Sequence, residues 1–397
     1  MKVRRCAVVY VEPREEVGFD LQELLNGGDG LRRERRWVAL APHLGEEVEL
    51  DADERELLGA LGPSQWLDAK ALAAHPPGAV QRLLKEGLLI GDGKRHAAQR
   101  ARDEALRATY WHPLAATLHA FTRWSGVDAV QNMKDSGTET AVQMREVLGA
   151  PPTAAAHRGD GVAQLKLPRI EATDFDRLLA RRATCRNFDP GRALPFDLFA
   201  QLLQRVFAAQ AEVRISADTV FLKKNVPSGG GLHPIECYLV VQHVEGVAPG
   251  LYHYQAVDHA LEPLPVPAGR DWRDGGLRGF LQDMVAQQHW FADAHVAVVL
   301  APRFDRTFWK YRQHAKGYRV VALEAGHLSQ TLYLSATEAG LGAFITGAIN
   351  EKELERALGL DPVNQGALAV CGFGWRGEHM VTAELDPAGA VWLPAGA

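Results

Sequence analysis

The chain reads as an α+β protein, on three observations. From about Thr173 onward, short apolar runs alternate with longer stretches whose apolar residues recur at helical spacing, the pattern of strands and amphipathic helices packed in layers. Hydrophobic residues make up 47% and charged residues 23%, the balance of a soluble globular protein, so disordered and collagen-like chains are excluded. A chain of 397 residues can form two or three domains with cores large enough to need no disulfide staples.

The N-terminus, MKVRRCAVVYVEPREE, begins basic and turns apolar. Its apolar stretch covers only Cys6 to Val11 and acids follow at once, so a first β-strand is expected, not an export signal. A short acidic and glycine stretch lies around Asn26–Asp29, and three short helical segments follow. Asp51 or Asp53 caps a helix through Leu61, stopped by Gly62-Pro63. Asp68 caps a second through Ala74, ended by Pro76-Pro77. The third is AVQRLLKE, with Val80, Leu83 and Leu84 on one face and Gly87 at its end. It runs into Leu88-Leu89-Ile90 and the turn Gly91-Asp92-Gly93. Three helices before a strand pair is the order of a winged-helix module. Residues 97–124 are helical in pattern, broken at Pro113. The tract 151–168, PPTAAAHRGDGVAQLKLP, lacks periodicity and reads as a linker. The expected division is therefore 1–150, a linker at 151–168, and 169–397.

In the second half, Thr173 and Asp176 form a capping-box pair, and Leu198, Phe199, Leu202, Leu203, Val206 and Phe207 line a strong amphipathic helix. Glu236–His243 reads as a buried strand. Leu251–Tyr254 and Ala260–Leu264 read as a hairpin around Asp258-His259. His295–Ala301 is another strand, Arg319–Ala339 a long helix closed by Gly340, and Leu341–Ile345 a short strand. Asn350 and Glu353 box a helix that ends at Gly359, and Ala367–Phe373 is a last strand.

Charge and cysteine usage narrow the function classes. Against 44 Lys and Arg stand 49 Asp and Glu, a net charge of −5, which argues against a nucleic-acid binder. No apolar run is long enough to span a bilayer. Cys6, Cys185, Cys237 and Cys371 are scattered without a CxxC pair. No metal site is expected, and a reducing cytoplasm fits best.

Five motifs stand out. Arg181-Arg182-Ala183-Thr184-Cys185-Arg186 brings guanidiniums and a hydroxyl together, a phosphate-binding chemistry, although cations also suit any helix C-terminus. Pro227-Ser228-Gly229-Gly230-Gly231-Leu232-His233-Pro234 precedes a buried strand. Its glycines let a flat ligand approach the backbone, yet it is neither GxGxxG nor a P-loop. Lys310-Tyr311 pairs two tunable acid–base groups, or is a surface aromatic beside a snorkelling cation. Glu324-Ala325-Gly326-His327 puts small residues mid-helix, which suggests close packing, with His327 expected as a satisfied buried histidine. Cys371-Gly372-Phe373-Gly374-Trp375-Arg376 offers another close approach and an arginine. The cysteines are most simply core residues.

Singly these motifs are common; their order is specific. R-R-A-T-C-R-N-F, PSGGGLHPIECYLVV, GLYHY, WKY, EAGHLSQTLYLSATEAGLG and VCGFGWR together resemble the nitroreductase-like flavoprotein superfamily, and within it the SagB-type peptide azoline dehydrogenases. The resemblance spans about Glu171 to Arg376. It implies a nitroreductase-like FMN fold, a central antiparallel-rich sheet flanked by helices, acting as a homodimer with the cofactor at the subunit interface. It further implies that Arg182, Thr184 and Arg186 hold the FMN phosphate and ribityl chain. Pro227, Ser228, Gly229 and Gly231 would lie against the flavin ring, with Ile345, Thr346 and Gly347 near it, and Gly372 and Arg376 would return to the phosphate. Lys310 and Tyr311 are the catalytic expectation: azoline oxidation removes a proton and a hydride from adjacent atoms, FMN takes the hydride, and one of this pair takes the proton. The N-terminal winged-helix-like region would recognise the leader of a precursor peptide, and a cyclodehydratase is the expected companion. The alternatives are an NAD(P)H-dependent nitro- or ene-reductase of small molecules, a largely non-catalytic peptide-binding subunit, and a flavin-sensing winged-helix regulator. The Lys-Tyr pair and the extra N-terminal module disfavour the first. Retention of the phosphate arginines disfavours the second, and the acidic balance the third.

Overall fold

Two compact units divide the chain, and neither is continuous in sequence. The first comprises Met1–Arg123, Arg303–Val321 and Leu360–Gly366; the second comprises Trp124–Pro302, Ala322–Gly359 and the chain from Ala367 on. The structure, a computed structural model, describes residues 1–156, 158–159, 161 and 163–392.

In the first unit the expected helices form. Asp51 makes a capping box with Glu54 at the start of Ala52–Ala60. Pro77–Glu86 ends on Gly87, whose φ of 82° suits glycine. The Asp68-capped segment shortens to a 3₁₀ turn at Ala69–Leu72. The strand pair differs from expectation. Leu89–Gly91 is followed by a 3₁₀ turn and the helix Ala97–Ala108, so the chain's own start supplies its partner. Strand Lys2–Arg5 lies between Leu67–Asp68 and Leu89–Gly91, antiparallel to both. Leu57, Leu83, Leu88 and Leu89 close the core beneath.

The opening strand is also corrected. Cys6–Val9 is irregular, and strands flank it at Lys2–Arg5 and Tyr10–Phe19. Tyr10–Phe19 pairs along its whole length with Leu31–Leu40, a hairpin the sequence reading did not anticipate. Its charged residues face water on both sides, so no two-residue apolar alternation marks it.

The linear division at 151–168 is crossed by Arg303–Val321 and Leu360–Gly366, which pack with the N-terminal elements. Aromatic burial is the physical reason. Phe304 and Phe308 each lie 4.6 Å from the Trp111 ring, and Tyr318 completes the cluster. Trp111 Nε1 donates to the Val363 carbonyl at 2.8 Å, and His119 Nε2 to Pro362 at 3.1 Å. Burial pushes the His119 imidazole down to about 3, so this inner ring stays neutral.

The second unit is built on a six-stranded sheet in the spatial order Ala260–Pro263, Gly250–Gln255, Ile235–Val241, Val296–Pro302, Ala369–Trp375, Leu341–Thr346. Every adjacent pair is antiparallel. The central strands are buried on both faces, which explains their continuous apolar runs. Helices Phe196–Val206, Gly276–Met284 and Ala322–Glu338, the last being the second-unit part of Lys316–Glu338, supply apolar residues to this core. The expected Asn350–Glu353 box is absent. The buried Asn350 accepts from Val127 N–H at 2.8 Å and donates to the carbonyls of Val127 and Asp283, at 3.1 and 2.7 Å. No regular element lies between Gly149 and Ala172 among the described residues.

Among the described residues no helix is long and apolar enough to cross a membrane, and no His, Cys, Asp and Glu group could hold a metal ion. All four cysteines are free and buried. Burial raises each thiol, those of Cys6, Cys185 and Cys237 to about 12, so they behave as core residues and not nucleophiles.

Candidate functional site

The arginine-rich segment runs out of helix Asp174–Arg181 and docks on the sheet edge. Thr184 bridges in parallel to Ala343 of the edge strand, and Cys185 N–H donates to the Ala343 carbonyl at 2.8 Å. Gly342 permits this approach, since a Cβ there would stand 2.5 Å from Cys185 Sγ. Cys185 therefore points inward, and Arg182, Thr184 and Arg186 alternate away from it.

Thr184 and Tyr333 share a hydrogen bond of 2.9 Å between their hydroxyls, and the Ile345 N–H donates to the same phenol at 3.1 Å. The Arg182 guanidinium stands 5.4 Å from the Tyr333 ring centroid, within cation–π reach. Tyr333, which the motif reading left unassigned, thus joins two of the expected cofactor segments. Burial raises its pKa above that of an ordinary phenol, so it is neutral.

The Gly-rich loop is fixed from the same helix. Ser228 Oγ donates to the buried Glu324 carboxylate at 2.5 Å and accepts from His233 N–H at 2.9 Å. Burial raises the Glu324 pKa, opposed by the Ser228 hydroxyl and the nearby Lys224 charge. Gly229–Gly231 forms a 3₁₀ turn in which Gly230 takes a φ of 67°. A Cβ on Gly231 or Gly347 would meet nothing within 4 Å. Two expectations for this helix change. His327 is exposed, not buried, and its Nδ1 donates to the Pro227 carbonyl at 3.1 Å. Gly326 serves no close packing, because a Cβ there would touch nothing.

The last expected positions are tied differently. Thr346 Oγ1 sits 3.0 Å from Gln288 Nε2, which also donates to the Ala348 carbonyl at 2.8 Å. Gly372 lies inside the sheet, where a Cβ would come within 2.2 Å of Phe344, so packing already explains that glycine. Arg376 pairs with Glu384, whose side chain is fully enclosed. Glu384 also accepts from Arg186 N–H at 2.6 Å and from Asn187 Nδ2 and Trp392 Nε1, both at 2.8 Å. Burial alone would raise the Glu384 pKa, but these donors and the Arg376 charge hold it below the ordinary carboxylate value. Glu384 carried no motif signal, and Asn187, although inside the arginine-rich motif, was given no role, since their contact joins chain far apart in sequence.

Lys310 and Tyr311 belong to the other unit. Phe304 and Phe308 anchor their helix, Phe304–Lys310, and Tyr311 caps its end through an N–H donated to Thr307 at 3.1 Å. Lys310 Nζ stands 5.7 Å from the Tyr311 ring.

Within the second unit, the donor chemistry suits a phosphate-bearing planar ligand. A guanidinium and a hydroxyl share one edge, and two glycines with open Cβ positions lie on the associated loops. Comparison with known proteins gives the family. The model of the nitroreductase family matches residues 179–375. The protein MJ1384 of Methanocaldococcus jannaschii, named as a nitroreductase, is 30% identical over 196 residues, 49% of this chain and 89% of that one. The trifolitoxin-processing protein TfxB of Rhizobium leguminosarum bv. trifolii is 30% identical over 177 residues, and the match spans 44% of this chain but only 46% of TfxB. A chain of the E. coli microcin synthetase McbBCD complex, solved with truncated pro-MccB17 bound, shares the fold, with a TM-score of 0.51, 19% identity and coverage of 69% of this chain and 94% of that one. Motif order, antiparallel sheet and these likenesses agree that the chain belongs to the nitroreductase family.

Proposed function

We propose that this protein is an FMN-dependent dehydrogenase that matures a ribosomally synthesised peptide, oxidising azoline rings to azoles. The observation that carries the reading is the convergence on one helix. Glu324 and His327 grip the Gly-rich loop at Ser228 and Pro227, and Tyr333 grips Thr184 and Ile345. Three segments expected around a flavin are thereby referenced to a single rigid element. TfxB is named for the processing of trifolitoxin, and the McbBCD complex holds truncated pro-MccB17; both support a peptide substrate.

Arg182, Thr184 and Arg186 bind the phosphate end, with Arg376 held nearby through Glu384. Pro227, Ser228, Gly229 and Gly231 would lie against the ring, with Ile345, Thr346 and Gly347 near it. FMN, when bound, supplies the hydride acceptor. Tyr311 or Lys310 takes the proton from the carbon adjacent to the one that gives up hydride, so the ring loses two hydrogens and gains a double bond. The N-terminal winged-helix-like part of the first unit holds the leader, a cyclodehydratase supplies the azoline, and the compartment is the cytoplasm. A homodimer is the expected assembly, and the exposed Val142, Val147, Leu148, Leu165, Leu167, Ile170 and Phe175 are apolar side chains that a second copy would cover.

The test is a single anaerobic turnover of the holoenzyme with an azoline-bearing peptide. Flavin absorbance should bleach while the peptide loses two hydrogens per ring. A peptide of unchanged mass beside oxidised, bound FMN contradicts the reading.

A further inference from the structure

We infer that Tyr333 is a positioning residue that sets the direction of the Thr184 hydroxyl, so that Thr184 presents its proton to the phosphate of the cofactor. This rests on the FMN reading above.

The argument follows from which groups can only donate. The Ile345 N–H has no acceptor capacity, so at 3.1 Å it must donate to the Tyr333 phenol oxygen. The phenol is neutral and has one proton to give. The hydroxyl of Thr184, 2.9 Å away, is the partner left for it. If Tyr333 donates to Thr184 Oγ1, the Thr184 proton is released from that contact and turns outward. Each donation polarises the next hydroxyl, so the relay from Ile345 N–H through Tyr333 to Thr184 makes the last proton a better donor to an anion. The Arg182 guanidinium lies 5.4 Å from the centroid of the same ring, a second group for an anion on the Tyr333 side of the segment. Tyr333 is 6% exposed and is itself shielded from solvent, so it acts through Thr184 and Ile345. The two ends of the relay belong to the phosphate segment and the ring-side strand, so the phenol also fixes their spacing.

The experiment measures apoprotein affinity for FMN and for riboflavin, which lacks the phosphate, in the wild type and in Tyr333→Phe, Thr184→Val and the double variant. The ratio of the two dissociation constants reports the phosphate contribution. Tyr333→Phe should shrink that ratio about 10- to 100-fold, the size of one hydrogen bond to a charged acceptor. Thr184→Val should do the same, and the double variant should lose little more than either alone. An equal weakening of FMN and riboflavin would show a merely structural tyrosine and overturn the inference, as would additive losses in the double variant. Should Tyr333→Phe fail to fold, Thr184→Val carries the test alone, and an unchanged ratio overturns the inference. A wild-type protein that binds neither flavin overturns the FMN reading itself, whereas tight FMN binding untouched by these substitutions overturns only the role of Tyr333.

Discussion

At the scale of single residues, the most informative side chains engage several partners at once. Asn350 is one. Its amide replaces a helix cap with contacts to Val127 and Asp283, so Asn350→Ala strands buried donors and acceptors. A loss of about 2–4 kcal/mol in chemical denaturation is expected. His253 is another. It stands between Glu236 and Glu262, with ring contacts of 3.4 and 2.6 Å. The Glu236 hydrogen bond, then that of Glu262, raise its pKa above 6.5 against the opposing effect of burial. A raised folded pKa means that stability from the charged ring is fully present below the unfolded value and is lost as pH climbs through the folded one. The melting-temperature advantage of wild type over His253→Gln should therefore be largest below about pH 6.5 and shrink in alkali; a flat or inverted profile contradicts this. For the pair proposed as catalytic, Lys310→Ala and Tyr311→Phe should keep FMN but lower turnover, by about 100-fold for whichever residue takes the proton. Parallel loss of flavin would make the pair structural.

At the scale of elements, the sheet strands, the amphipathic helices and one of the two expected capping boxes, that of Thr173, were legible in sequence. Buried strands and one-sided helices announce themselves through local periodicity. Ile235–Val241, Phe196–Val206 and the Thr173 cap fall within two residues of expectation. The exposed hairpin Tyr10–Phe19 with Leu31–Leu40 was not legible, because ion pairs such as Arg14–Glu47 stand where apolar alternation would have signalled a strand. The segments of the site were readable as motifs, but their cross-links were not. Tyr333, Glu384 and Gln288 reach partners far away in sequence, and no spacing rule encodes a contact made by folding. Gly372 shows the converse. Its place in a motif suggested a phosphate approach, yet the Phe344 ring fills the space a Cβ would need. Gly372→Ala should cost about 1–3 kcal/mol through overpacking, read as a lower denaturation midpoint. A neutral Gly372→Ala would mean that Phe344 turns aside freely.

At the scale of the whole molecule, the chain interleaves its two units instead of stringing them in line. The segment carrying Lys310 and Tyr311 is held by aromatic packing among N-terminal elements, while the arginine-rich segment and the Gly-rich loop sit in the other unit. The winged-helix-like region and the segment of Lys310 and Tyr311 therefore belong to one unit, which no linear division of the sequence would suggest. The exposed apolar residues along Val142–Phe175 lead to a prediction of assembly: sedimentation should give twice the 43.5 kDa chain mass. A strict monomer at micromolar concentration would leave that surface without a partner. The central claim, a flavin held by the Arg182–Thr184 edge and the Gly-rich loop, is tested most directly by what the purified protein carries. The protein should be yellow, release FMN on denaturation at about one per chain, and melt at a higher temperature when FMN is added to the stripped form. A colourless protein whose melting temperature FMN does not move would contradict the account.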